Sequence, residues 1–564
     1  MDNEMRVRLS AEETQDEVLV HALRGYYTTY KNAMTSTLTR YRRNERYLQM
    51  RDWDGVLKEE PNDPQPITPV LFSSKENLLA DIVESRPTIN VAAETAGMAE
   101  TARKLTDIGK YYLDRRDFAR SYAQAADNAL IYGPFILEVC WDPLQRFGAG
   151  DISIKDVSPL CFLADPNVED INESAAVIKT AIVTNSRMRE MYPEKAAALT
   201  AHDPDREEQS YQSDDKDRDK CEILDCWWRE LDEDGIYHVH FARITGSTLL
   251  EKRLDVYGHG RYPFAVAAAF RVPGHPFGMG LYDLFADTQS IIDVLDQAVT
   301  RNALRAGRPK KLVSRRANAD INALLDDDRE VVECDGIGEE LIRYLSPPPY
   351  PSAAAGLQVQ KQEMLKEESG QNQFARGEGG KGITAASAIN ALQEAGGKRS
   401  RLVVQRIYAA VQEAAEQMIS IAAQYLTPED VYTITNDMGE IREVAITAVE
   451  QSLPGYTQIE QAVSIKVEAD TNQHSLVMNE LVQGLINSGA LRPAVGLAMM
   501  NIPNKGEIVR AVQEQDALMA QLQQMQAQIQ QLQGALTAQE EQMAAVAAKR
   551  PALAYNDGAQ LPIG

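Results

Sequence analysis

The sequence is poor in cysteine, aromatic side chains and basic charge, and it contains no long apolar run. Its five cysteines, Cys140, Cys161, Cys221, Cys226 and Cys334, are odd in number and scattered over 564 residues. A chain of that length needs no disulfide staples, so reduced thiols are expected. The longest purely apolar run, Phe264 to Phe270, falls far short of the ~20 residues that a membrane-spanning helix requires. The opening residues, MDNEMRVRLSAEE, show no basic leader followed by an apolar stretch, and a chain that is neither exported nor membrane-bound is expected. Basic residues number 58 against 83 acidic, a formal net charge of −25. That balance repels a phosphate backbone and argues against tight nucleic-acid binding by counterion release; a DNA partner would be passed along rather than held.

Catalytic and cofactor motifs are missing as well. The glycine-rich stretch Arg376-Gly-Glu-Gly-Gly-Lys-Gly-Ile-Thr384 invites comparison with a phosphate-binding loop. Such a loop needs serine or threonine directly after its lysine, an early glycine and a preceding strand. Here Gly382 follows Lys381, Ala375 holds the early glycine position, and a helical pattern precedes. His238 and His240 would share one face of a strand, with Cys221 and Cys226 imaginable nearby, but no CxxC pair and no HExxH motif supports a zinc site. Asp326, Asp327 and Asp328 are consecutive and do not converge on one side, which suits a solvated turn better than a cation site. No GxSxG elbow exists. No enzyme, no cofactor and no metal are therefore expected.

What is present is an α+β, multi-domain pattern, the length predicting two to four domains. A long helix is predicted over 17–50, with a basic cluster at Arg40, Arg42, Arg43, Arg46 and Arg51. Pro61, Pro64, Pro66 and Pro69 break it. Helices follow over 69–87 and 98–131, the second stopping near Gly133. Alternating apolar residues then predict strands at 135–140, 152–157, 178–183, 221–228, 236–243 and 262–270, interrupted by an acidic loop, 202–220, expected to be solvated.

From Gly280 to Ala306 an apolar stripe predicts a long helix. Asp283, Asp287, Asp293 and Asp296 lie early in it and Arg301, Arg305 and Arg308 late, a distribution that the helix dipole favours. Residues 309–346 read as strand, short helix, strand, strand (KKLVS, DINALLD, REVVEC, LIRYLS), and a second helix starts near Ser352. The glycine loop 377–384 leads into a helical segment to Tyr425, interrupted at Gly396-Gly397. Strands follow between 431 and 467, and helices resume near Gln473. Towards the end, Leu518, Leu522, Met525, Ile529, Leu532, Leu536, Met543 and Val546 recur in alternating steps of four and three, a heptad seam with glutamine and alanine flanks that allow a many-stranded helical barrel as readily as a dimer. Residues 549–564 are expected to be disordered.

The order of these pieces resembles the portal proteins of tailed bacteriophages, the larger kind found in short-tailed phages. Several stretches carry the resemblance: the basic helix leading to Arg51-Asp52-Trp53-Asp54; Asp127-Asn-Ala-Leu-Ile-Tyr-Gly133 leading to Glu138-Val-Cys-Trp-Asp142; Val157-Ser-Pro159 with Ala164-Asp-Pro166; Pro276-Phe-Gly-Met-Gly280 before a helix containing Gln289 and Leu295; and Thr384-Ala-Ala-Ser-Ala-Ile389 before the helix ending at Tyr425. The resemblance implies a portal fold. In it, residues 1–279 would form the N-terminal part of the wing, 280–308 the first stem helix, 309–351 a small α/β clip and 352–376 the second stem helix. A tunnel loop would follow at 377–384, the rest of the wing at 385–470, a helical crown at 471–512 and a coiled-coil or helical barrel at 513–548.

It further implies a homo-oligomeric ring, usually of twelve subunits, placed at one capsid vertex of the virion after assembly in the host cytoplasm. Double-stranded DNA would pass through its channel. Its implied partners are the terminase packaging motor, the major capsid protein, scaffolding protein and tail adaptor proteins. Arg376 and Lys381 would be loop contacts to DNA; Lys310, Lys311, Arg315 and Arg316 would be contacts at the clip or stem end. Two other readings compete. A head-tail adaptor or minor capsid interaction protein would share the acidity and the coiled tail, but would not need a β-containing insertion between two long helices. A packaging ATPase or nuclease would need the motifs that are missing.

Overall fold

The computed structural model describes residues 2–55, 63–93, 99–198, 220–307, 310–322, 335, 342–345, 352–369, 398–425, 431–435, 441–445, 463–470, 472–491, 495–497, 500 and 505–548. Residues 1–432 and 444–471 form one compact unit; residues 433–443 and 472–564 form a second.

The first unit is α+β. It opens with α1 (Asp2–Ala33) and α2 (Thr35–Leu48), where one long helix is predicted. At Met34 the amide still donates to Tyr30 O at 2.8 Å and the carbonyl accepts from Leu38 N at 2.8 Å, so the join is a bend. α3 (Val70–Glu84) passes directly into β1 (Arg86–Ala93), as expected of a helix that meets Pro87. The helix predicted over 98–131 is in fact two, α4 (Ala99–Leu113) and α5 (Arg116–Tyr132). The cause is tertiary. Arg115 is extended between them, with φ −65° and ψ 139°, and its guanidinium donates to Asp151 Oδ2 at 2.6 Å while Tyr112 Oη donates to Oδ1 at 2.7 Å.

Antiparallel strands then build two sheets. β2 (Pro134–Asp142) lies between β3 (Asp151–Asp156) and β9 (Phe264–Ala268), while β4 (Phe162–Leu163), β5 (Ala176–Thr184), β6 (Lys220–Leu231), β7 (Tyr237–Thr245) and β8 (Thr248–Arg253) pair in sequence order, the short helix α6 (Asn185–Met191) following β5. Phe264 and Trp227 meet edge to face at 4.9 Å and Phe264 and Phe162 at 5.0 Å, so one aromatic cluster fastens the small sheet to the large one. Across the same gap Lys179 Nζ donates to Glu138 Oε1 at 2.6 Å. β10 (Phe270–Val272) and β11 (His275–Met279) form a short hairpin that delivers the chain to α7 (Leu281–Gly307). The prediction merged β9 with β10 and missed β4, β8 and β11.

After α7 come β12 (Lys310–Val313) and β13 (Ile342–Leu345), paired antiparallel from Lys310 with Leu345 to Val313 with Ile342. The predicted strand REVVEC and most of DINALLD lie outside the described residues. α8 (Ser352–Glu368) and α9 (Lys398–Tyr425) follow. The buried face of α9 carries Val403, Ile407, Val411, Ala414, Met418 and Ile421, a stripe at steps of three and four that packs on β2 and β9. β14 (Val431–Thr435) and β15 (Ile441–Ala445) pair with each other, and β16 (Val463–Asp470) pairs antiparallel with β1 along its whole length. The second unit holds α10 (Asn472–Asn487) and α11 (Lys505–Ala548), the latter a single helix of 44 residues. Among the described residues no helix is long and apolar enough to cross a membrane.

Candidate functional site

Helix α7 is rooted where segments far apart in sequence meet. A Cβ added to Gly280, just before the helix, would lie 2.5 Å from Ile131 O, and one on Gly133, whose φ is +117°, would lie 2.8 Å from Phe277 O. Only glycine allows both backbone approaches. Asn44 of α2 is buried in this junction and its Nδ2 donates to Ile131 O at 2.9 Å and to Asp283 Oδ1 at 2.7 Å. Asp283 Oδ2 accepts from Gly280 N at 2.9 Å, satisfying an amide beside the helix start. Arg40 closes the ring of contacts, 3.4 Å from Asp283 and 3.2 Å from Gly278 O. Tyr132 Oη donates to Glu45 Oε1 at 3.0 Å, and burial pushes the Glu45 carboxyl above its ordinary range. The basic helix, the stretch ending at Gly133 and the stretch ending at Gly280 thus converge on one point.

Residues 63–69 run along α7 as an extended strap that leads into the first turn of α3 at Val70 and Leu71. Gln289, Asp293, Gln297 and Arg301 recur every fourth residue, hence on one face, and each holds the strap. Gln289 Nε2 donates to Thr68 O at 2.6 Å and its Oε1 accepts from Leu71 N at 3.1 Å. Asp293 Oδ1 accepts from Thr68 N at 3.1 Å, Gln297 Nε2 donates to Pro64 O at 2.9 Å, and Arg301 meets Asp63 at 2.5 Å. Thr68 Oγ1 also donates to Asp296. Prolines in the strap offer carbonyls but no amides; Gln297 supplies the donor for Pro64 O and Trp53 that for Pro66 O, while Gln289 serves Thr68 O. The charge gradient read as a dipole effect along α7 is therefore largely a set of tertiary partners: Asp283 for Arg40 and Asn44, Asp287 for Arg43 at 3.5 Å, Asp293 and Asp296 for the strap, Arg301 for Asp63.

α8 returns antiparallel to α7. Gln358 Nε2 donates to Asp296 Oδ1 at 2.5 Å, and further along α8 Leu365 packs with Ile292 and Val70, against which Phe285 also rests. Between the two helices stands the β12–β13 ribbon. Residues 297–319 hold seven Arg or Lys and no Asp or Glu, an island of positive charge in a chain of net −25. Of the four expected contact residues, Lys311, Arg315 and Arg316 are exposed; Lys310 is in β12, its side chain outside the described residues. An exposed cationic turn at the end of a helical hairpin suits brief contacts with phosphate or with an acidic protein surface.

The remaining candidates lie elsewhere. Arg376 and Lys381, with the whole 377–384 loop, fall outside the described residues, as do Asp326–Asp328 and 549–564. On α11 the seam residues Leu518, Leu522, Met525, Ile529, Leu532, Leu536 and Met543 are exposed in the single chain, from 44% at Leu522 to 68% at Leu532; Val546 belongs to the same helix, its side chain outside the described residues. His238 stands between Asp232 and Asp255, 2.9 Å from each. These carboxylates, Asp232 first, hold its imidazole above the usual range. His240 instead accepts from Asp255 N at 3.0 Å and packs on Trp228. Cys221 and Cys226 are buried in β6, and burial raises the Cys226 thiol. Among the described residues no group of three or more His, Cys, Asp or Glu side chains is placed to hold a metal ion. Sequence reasoning missed the strap-holding Gln289 and Gln297, because hydrogen bonds from side chain to distant backbone leave no periodic trace. Compared with models of known protein families, residues 24–556 match that of the phage P22-like portal proteins.

Proposed function

The chain belongs to the phage P22-like portal protein family, and on that premise we propose that α7, the β12–β13 ribbon and α8 are the stem and clip of a DNA channel. The protein is then one subunit of a homo-oligomeric ring at a capsid vertex, through which DNA is packaged and later ejected. The ribbon is the docking face for the terminase motor and afterwards for tail adaptors; the sheets and α9 form the wing, facing the coat and scaffolding proteins; α11 assembles with its copies into a helical barrel.

The observation that carries this reading is the cationic ribbon carried between antiparallel α7 and α8, with α7 rooted through Asn44, Asp283, Gly133 and Gly280. A net-acidic chain lets DNA slide, whereas a local group of cations steers it or holds an acidic partner for a limited time. The ring has no chemistry of its own in this reading: the motor supplies ATP hydrolysis, and purified rings turn over no ATP. The direct test is the triple variant Lys311→Glu, Arg315→Glu, Arg316→Glu. These residues are exposed, so rings should still form while binding to the motor and packaged DNA fall at least about tenfold, a loss of ~1.4 kcal/mol or more. Rings of the variant that bind the motor and package at the unmodified level would refute the assignment of the ribbon.

A further inference from the structure

Where α2 ends and the strap begins, two carboxyls face each other away from water. Asp293 is 2% exposed. Its Oδ1 accepts from Thr68 N at 3.1 Å and from Gln289 Nε2 at 3.0 Å, whereas its Oδ2 is buried with no donor from another group. Opposite it Asp52 Oδ1 is likewise buried with no donor, and the two side chains are hydrogen-bonded to each other. Carboxylates are acceptors only, so a bond between two of them requires a proton on one. Two ionised carboxylates held in contact and out of water would repel strongly.

Among the described residues no cation forms an ion pair with either carboxyl. From α2, Tyr47 faces the pair, with Arg43 and Asp287 beyond it. From α7 come Tyr282 and Asp296. From α3, Glu76 acts on Tyr282 and is bound by Lys75 at 2.5 Å. Asp63 of the strap is engaged by Arg301. Lys366 of α8 lines a groove beside Thr68 and Pro69. No basic group is among the main influences on either carboxyl. Around the pair, Trp53 Nε1 donates to Pro66 O at 2.9 Å, so Asp52 belongs to a turn that is itself fastened to the strap.

We propose that Asp52 and Asp293 share a single proton, and that this carboxyl–carboxylate bond is a releasable pin holding residues 51–55 and 63–71 against α7. When the proton passes to solvent, two carboxylates remain, the pin opens, and the strap loosens from the helix while the packing of α7 on α8 persists. The pin is thus a conformational switch at the middle of the long helix, separate from the cationic ribbon.

The test uses full-length protein, with infrared spectroscopy and hydrogen exchange corrected for the intrinsic rate. Unmodified protein should show a protonated-carboxyl stretch at neutral pH that disappears on alkaline titration. Exchange in 63–71 should rise at least about tenfold between about pH 6 and about pH 9. In Asp52→Asn or Asp293→Asn an amide supplies the donor hydrogen without titrating. Either variant should lose the share of the band that belongs to the pair, leaving that of other buried carboxyls such as Glu413, and keep the strap protected across the range, whereas a band that both variants retain in full would overturn the proposal; two variants guard against one failing to fold. Absence of the band at neutral pH in unmodified protein would overturn the proposal. So would a strap response to pH that survives in both variants, or millimolar calcium or magnesium that abolishes the band and protects the strap, which would make the pair a cation site.

Discussion

Single residues set the geometry of the root. Gly280 touches backbone, not a side chain that could turn away, so Gly280→Ala forces α5 and α7 apart and should cost about 3 kcal/mol or more, read as a fall in the midpoint of chemical unfolding. A change below about 0.5 kcal/mol would show that the two backbones are not in contact. Glu413 of α9 offers a second test, through pH. Burial, reinforced by Asp170, lifts its carboxyl to about 7, against roughly 4.3 for a free glutamate. The folded state therefore holds this proton more tightly than the unfolded one. The associated stability is complete below the unfolded value and is lost as pH rises to about 7. Glu413→Gln, which cannot ionise, should lose about 3 kcal/mol less stability than unmodified protein between about pH 4 and about pH 8, measured by denaturant titration at both pH values. Equal losses would place Glu413 in water. Neither residue announces its role in the sequence. Gly280 is recognisable only as part of a glycine-bearing stretch, and nothing local to Glu413 tells that Asp170 will approach it.

Elements were legible where one face of a helix repeats and illegible where a distant residue decides. The stripe of α7 fixes that helix to within a few residues, and the heptad positions 518–546 all lie in α11, which extends upstream of them to Lys505. The break between α4 and α5 was hidden because Asp151, which pulls Arg115 out of helical geometry, is remote in sequence. The strap was hidden for the same reason: four prolines announce extended chain but not the helix along which it lies. Gln289 is the clearest probe of that contact. It is 2% exposed and binds both Thr68 O and Leu71 N. Gln289→Leu would leave both unpaired and should destabilise by about 2 kcal/mol, with faster amide exchange concentrated at 68–71. Exchange unchanged there would remove the strap from the description. For α11 the relevant measurement is assembly. Leu522→Glu with Ile529→Glu places charge in the exposed seam, so residues 505–548 should lose exchange protection in the assembled protein while the first unit keeps its own. Unaltered protection would show that the seam packs against no other copy.

At the scale of the whole molecule, family and charge converge. The match over residues 24–556 covers the root, the strap, the hairpin and all of α11. The seven cations between 297 and 319 stand out because the rest of the chain is so acidic. The ring, the channel and the docking order follow from reading those features together. The measurement that tests this most directly is the mass and symmetry of the purified full-length protein, by native mass spectrometry with electron-microscope class averages. The account requires a closed ring of about a dozen copies with an axial opening. A protein that stays a monomer or a dimer at high concentration would contradict it.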